Sequence, residues 1–307
     1  FGTLLLGSTR LSDYDNAFPF KDGSMNQSSG LLFARGQKNI SITGFGTIDG
    51  QGGNKTFQFG NDADGGPKRP KIIYFVECKG IVVTDVTLRN SAYWVQHYEK
   101  CEDVTIRGLK VFSHCNYNND GLDIDAKNAT ISDCYIDVED DAICFKSDHP
   151  EFCENITVTN CVTASNCNAI KFGTASHGGY RNIAVSNCVV RRAAEDNIRH
   201  WSKQLEHISA DVTVISGVAI EMVDGGIIDG ITVSNISMRD VQTPIFIRLG
   251  DRHRTYRKEG GVLKNINISN IVATAESLIA CSITGVETSY VENVSINNVQ
   301  ISYPGGG

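Results

Sequence analysis

At 307 residues with 41% hydrophobic side chains, the chain is long enough to bury one large core or two smaller ones. A net charge of −7 and a sequence pI near 5.5 argue against nucleic acid or an anionic membrane surface as the main partner, because both call for a basic patch. No apolar run approaches the length of a membrane-spanning helix.

The opening segment, FGTLLLGSTR, reads as the middle of a longer chain, and an N-terminal portion is expected ahead of it. From residue 38 one phrase recurs: a small polar residue, a β-branched alternation, Asn or Asp, then a second short strand. It appears as KNISITGFGTID from 38, KGIVVTDVTLRN from 79, CEDVTIRGLKV from 101, KNATISDCYID from 127 and CENITVTNCVT from 153. It returns as YRNIAVSNCVV from 180, DGITVSNISM from 229, LKNINISNIVA from 263 and VENVSINNVQI from 291. The second apolar residue of each phrase gives the markers Ile42, Val83, Ile106, Ile131, Val158, Val185, Val233, Ile268 and Ile296, with steps of 41, 23, 25, 27, 27, 48, 35 and 28.

Most steps read as one coil of a solenoid, and 41 and 48 as about two. Short alternating strands, turn residues at a fixed place and only six prolines predict an all-β, right-handed parallel β-helix of about 9–11 coils, one domain over 1–307. Asn at the turn between paired strands tolerates left-handed dihedrals and can bond its counterpart one coil away. Cys115, Cys134, Cys144, Cys161, Cys167 and Cys188 alternate with strand residues and are expected as stacked small core side chains, not disulfides.

Next in chain order come Trp94, a flat face for a sugar ring, and His97, a polar donor; the plain alternative for His97 is a stacking core residue. The segment NNDGLDIDAKNATISDCYIDVEDDAICFKS, 118–147, is dense in acids. In a solenoid, residues one coil apart lie about 4.8 Å from each other. Counting from the markers stacks His97 on Asp120 and Asp141 on Asn168. If the turn HCNYNN at 114–119 absorbs the offset, Asp120 comes beside Asp140 and Asp141. Carboxyls crowded in this way repel, so one keeps its proton as a general acid while a neighbour serves as base.

Lys146 and Lys171 follow the acids on strands, and outward-facing side chains there would touch them. His177 falls in the Gly-rich TASHGGY and reads first as a loop residue. The polar segment 191–207 and the charged stretch 250–261 break the strand pattern and are predicted loop insertions on the binding face.

The chain resembles glycoside hydrolase family 28, the polygalacturonase family, from GTLLLGST to TPIFIRLGDR. NNDGLD at 118–123 is similar to the family's NTDG pattern, EDDAICFKS at 139–147 to its GDD pattern, and SAYWVQHYEKCEDVTIRG at 91–108 to a segment just upstream. The resemblance implies single-displacement, inverting hydrolysis with Asp140 as general acid and with Asp120 and Asp141 holding and deprotonating the water. Substrate contacts are expected from Trp94, His97, Asn119, Asn168 and Glu221; Lys146, Lys171, Arg199, His200, Arg248 and Arg252 are candidate cations to replace the pair that the family uses and this chain lacks, and His177 is a partial stand-in for the family's His. The departures fall on the substrate side: Asn168 stands where the family has His, and Ala219 and Glu221 stand where it has the Arg and Lys that grip a uronate carboxylate.

The expected function is therefore an O-glycosyl hydrolase acting on a pectic or related plant cell wall glycan, secreted or periplasmic, with no cofactor and no metal. An exo mode is implied by FKS after the paired acids and by the 191–207 insertion. Two alternatives stand beside it: a polysaccharide lyase whose calcium is held by Asp120, Asp123, Asp140 and Asp141, and a non-catalytic carbohydrate-binding solenoid.

Overall fold

The computed structural model describes every residue except 1, 15–17, 20–24, 27, 58–68, 194–213, 253–259, 277–280, 288 and 304–307. Strands wind into a right-handed parallel β-helix in which each coil pairs with the next. Why the chain winds this way shows at one place in the coil, where Ile42 pairs with Val83, then Ile106, Ile131, Val158, Val185, Val233, Ile268 and Ile296 in unbroken parallel register. From Val83 to Ile268 these side chains are at most 1% exposed. Each such burial contributes about 1.5–3 kcal/mol, so the same apolar residue repeated once per coil builds a continuous inner stack that no single coil could form.

Two steps were expected to span two coils and do not. Ile42 pairs directly with Val83 and Val185 directly with Val233, so the 41- and 48-residue steps are single coils with long excursions, one after Asp49 and one after Arg192. Of the predicted insertions, residues 191 and 192 complete the strand Gly179–Arg192, while 194–207 and 253–259 lie outside the described residues.

The corners are held by asparagines with positive φ, among them Asn128 at 57°, Asn155 at 59° and Asn182 at 53°. Their amides run up the solenoid as a ladder: Asn128 donates to Asp103 at 3.1 Å, Asn155 to Asn128 at 3.2 Å and Asn182 to Asn155 at 2.8 Å. A second column joins Asn187, Asn235, Asn270 and Asn298. Asn suits the position because it adopts the left-handed well and offers both a donor and an acceptor. Cys134, Cys161 and Cys188 are buried in the core without bridges, as expected, whereas Cys144 and Cys167, also unbridged, are buried beside the acids and outside the core cluster. Cys115 is not a core residue; it is exposed in the turn that follows the strand Lys110–Ser113.

Candidate active site

One sheet of the solenoid carries the site on its outer face. Its strands are Lys71–Val76, the first part of Gln96–Arg107, the first part of Leu122–Ser132, Ile143–Ser147, Asn168–Ser176, Ser216–Met222 and Thr243–Leu249. Alternation sends every second side chain outward, and register stacks these into lines across the coils. The middle line reads Tyr74, His97, Asp123, Cys144, Lys171, Ala219 and Phe246. Three residues toward the strand starts lie Asp120, Asp141, Asn168, Ser216 and Thr243, with Gly121 N donating to Asp141 O at 2.8 Å and Asn168 N to the Asp141 carboxylate at 3.2 Å.

Asp120 and Asp141 thus stand on neighbouring rungs with Asp140 beside them, and Asp141 stacks on Asn168, as the spacing predicts. His97 does not stack on Asp120; its partner is Asp123. The turn at 114–119 lengthens the coil, and a register shift between Glu99 and Cys101 restores the alignment beyond it.

Two buried ammonium groups divide the protons among these acids. Lys146 Nζ lies 3.3 Å from Asp120 and 3.2 Å from Asp123, and Lys171 Nζ lies 3.3 Å from Asp141 and 3.6 Å from Glu221. Burial opposes the charge of Asp141, but Lys171, Lys146 and the Asn168 amide at 2.7 Å outweigh it and hold its carboxyl below the ordinary value. Asp140 moves the other way, raised by burial and by the Asp141 charge. Asp120 is raised well above its ordinary value by burial and by Asp123 and Asp140, and burial lifts Asp123 to about 7 against the pull of Lys146. Adjacent carboxyls with opposite proton affinities are what acid–base chemistry requires.

The neighbouring rung holds a residue not singled out from the sequence. Lys71 Nζ sits 3.0 Å from His97 Nδ1 and 4.7 Å from the Trp94 ring centroid, and burial lowers its pKa to about 8. An ammonium can only donate, so His97 Nδ1 accepts and the ring proton is on Nε2. Burial, then the Lys71 charge, keeps His97 neutral, and Nε2 has no hydrogen-bond partner. A signal for Lys71 existed in RPKIIYFV, but treating the 41-residue step as two coils hid that 71–76 is the rung next to 96–99.

The remaining expected contacts divide. Trp94 is half-buried, with Tyr93 stacked at 5.2 Å and Lys146 4.6 Å from its centroid, so a sugar would share this ring with protein groups. Asn119 is fully buried and pins the turn, its amide donating to Ser91 O at 2.9 Å and Tyr93 O at 3.0 Å. Asn168 orients Asp141. Glu221 pairs with Lys171 and lies next to exposed Arg248 in register. Arg252 is bound to Asp224 and Thr174, and His177 lies in a turn with Nδ1 3.3 Å from Asp148 O. Arg199 and His200 lie outside the described residues.

Asp120, Asp123 and Cys144, and likewise Asp140, Asp141 and Cys167, bring ligand atoms within 4.8 Å of one another. Calcium takes six to eight oxygen ligands. Here each triad includes a thiol, and Lys146 and Lys171 already put positive charge on the carboxylates, so the donor set does not fit calcium.

Fold and site together define a parallel β-solenoid with a cluster of buried carboxyls and lysines on one outer face. The chain belongs to the glycosyl hydrolases family 28, whose family model matches residues 17–307. A probable polygalacturonase of Vitis vinifera is 32% identical over 138 residues, an alignment covering 43% of this chain and 27% of that protein. A probable exopolygalacturonase of Neosartorya fischeri is 27% identical over 45% of this chain and 32% of its own length, so the matched stretches span a third or less of these curated relatives. Among solved structures, the Erwinia carotovora polygalacturonase superposes with a TM-score of 0.74 at 20% identity, over 98% of this chain and 79% of that one. The Thermotoga maritima exopolygalacturonase gives 0.73 at 20% identity, over 98% and 75%. At that identity the likeness is one of fold.

Proposed function

We propose that this chain is a glycoside hydrolase that cleaves a pectic or related plant cell wall glycan by single displacement with inversion. The observation that carries the proposal is the gathering of Asp120, Asp140 and Asp141 on one face with Lys171 3.3 Å from Asp141 and Lys146 3.3 Å from Asp120, an arrangement that raises Asp140 and lowers Asp141. Asp140 gives its proton to the glycosidic oxygen as the C–O bond breaks. Asp141 takes a proton from the water that attacks the anomeric carbon. Asp120, holding its own proton in the free protein, orients that water, and the His97 Nε2–H and the exposed part of Trp94 meet the sugar.

Action from a chain end is supported by FKS after the paired acids and by the sequence of the 191–207 segment, which breaks the strand pattern; location outside the cytoplasm follows from a cell wall substrate. Lys146 and Lys171, seated where a calcium ion would have to be, favour hydrolysis over the lyase alternative. The test is hydrolysis of homogalacturonan, rhamnogalacturonan and neutral side-chain fragments by wild type and Asp140→Asn. Acid–base groups contribute about 10²–10⁴-fold, so the variant loses that much turnover with its melting temperature retained. Chelator leaves the rate unchanged and no unsaturated product forms. Turnover that survives Asp140→Asn, or no turnover on any pectic fragment, would leave a non-catalytic binding solenoid; a random ladder of oligosaccharides would remove the exo mode.

A further inference from the structure

Behind the acid-bearing face, at the corner that follows the strand Lys71–Val76, two thiols meet across adjacent coils. Lys79 pairs with Glu102 in register, which sets Cys78 opposite Cys101. Neighbouring strands run about 4.8 Å apart, inside the Cα separation that disulfides bridge. Both side chains are nearly fully buried at the edge of the apolar core, and both residues belong to the wall of a cavity of about 490 Å³ shared with Phe152, Lys100 and Lys127. Besides each other, the thiols lie near backbone oxygens: Cys78 Sγ is 3.2 Å from Val76 O, and Cys101 Sγ is 3.4 Å from Phe75 O and 3.5 Å from Glu99 O. Nothing in the proposed hydrolysis uses either sulfur.

We infer that Cys78 and Cys101 are a reactive dithiol that closes to a disulfide by exchange with a small-molecule disulfide entering this cavity. The two thiols are unlike. A hydrogen bond from Cys101 and backbone donors at Gln37 and Gly36 bring Cys78 down to about 7, whereas burial pushes Cys101 well up. Cys78 is therefore the attacking group and Cys101 the resolving one. With oxidised glutathione, the Cys78 thiolate attacks one sulfur, the glutathione S–S bond breaks and one glutathione leaves as its thiolate. Cys101 gives its proton to that thiolate and attacks Cys78 Sγ, and the second glutathione leaves. Two protein thiols are oxidised and one glutathione disulfide is reduced to two thiols. The bridge ties together the two coils that carry Lys71 and His97, and because it cross-links residues distant in sequence it raises the melting temperature by several degrees.

The experiment incubates the native protein with oxidised glutathione, traps remaining thiols with an alkylating agent under acid quench, and maps peptides by mass spectrometry. The expected product is a Cys78–Cys101 cross-link lighter by two hydrogens, formed faster than any link within the Cys134, Cys161 and Cys188 ladder. Cys101→Ser leaves glutathione attached at Cys78, and Cys78→Ser leaves Cys101 unmodified. A folded wild type in which Cys78 and Cys101 both stay alkylatable, or in which Cys134 and Cys161 link first, overturns the inference without reference to either variant or to hydrolytic activity.

Discussion

Replacing Lys171 with methionine tests how the acid cluster is held together. The ammonium is 3.3 Å from Asp141 and 3.6 Å from Glu221, and the side chains of all three are at most 13% exposed. At an effective dielectric near 20 the two contacts are worth about 5 kcal/mol each before desolvation of the lysine is subtracted. Breaking a buried pair by removing one partner costs about 3–5 kcal/mol net. Methionine keeps the volume, so the loss reports charge and not a cavity. The sign with pH follows from Asp141, whose folded pKa is lowered in the wild type. Its stabilising contribution is present above the unfolded value near 3.9 and is lost as pH falls through the folded value. In the variant the same carboxyl is buried beside Glu221 with less compensation, so its pKa rises and its ionisation opposes folding. Denaturant titrations of wild type and variant from pH 7 to pH 4 should therefore show a gap of about 3–5 kcal/mol that narrows with acid. A gap under about 1 kcal/mol, the size of an exposed pair, or one that does not change with pH, would refute this account of Lys171.

Asp125, raised well above its ordinary pKa by burial and then by Glu99, holds a proton in the folded state that the unfolded chain releases above about pH 3.9, so it costs stability at neutral pH and not in acid. Asp125→Asn should raise the melting temperature at pH 7 and leave it unchanged near pH 3.5; equal shifts at both would contradict the assigned protonation. In the corner ladder, Asn155→Ala gives up two side-chain hydrogen bonds and places an alanine at φ 59°, a loss of about 1–2 kcal/mol. Asn155→Gly keeps the backbone unstrained and should cost less, a difference read from urea midpoints; equal losses would mean that the dihedral is not what selects asparagine.

The repeat carried most of the fold because a solenoid turns sequence period into spatial contact, and all nine markers lie on one ladder. Coil lengths were harder to read: an excursion of twenty residues leaves the strand phrases intact on either side, so length alone cannot separate one swollen coil from two. That ambiguity hid Lys71, while the turn at 114–119 and the register shift after Glu99 moved the partner of His97 from Asp120 to Asp123. The acids were readable as a group, since Asp120, Asp140 and Asp141 share motifs and spacing. Their distribution of protons was not, because it depends on Lys146 and Lys171, whose outward direction depends on register. Asn119 and Asn168 were expected at the substrate; their amides are taken up in the turn and on Asp141, a distinction visible only once donors and acceptors are counted.

Because Asp120 and Asp141 hang from consecutive rungs of a hydrogen-bonded ladder, the gap between them is the pitch of the solenoid, not a choice of rotamer. Widening or narrowing that gap would mean breaking a rung, so the two carboxyls keep their spacing like teeth on a comb, whatever changes at the corners.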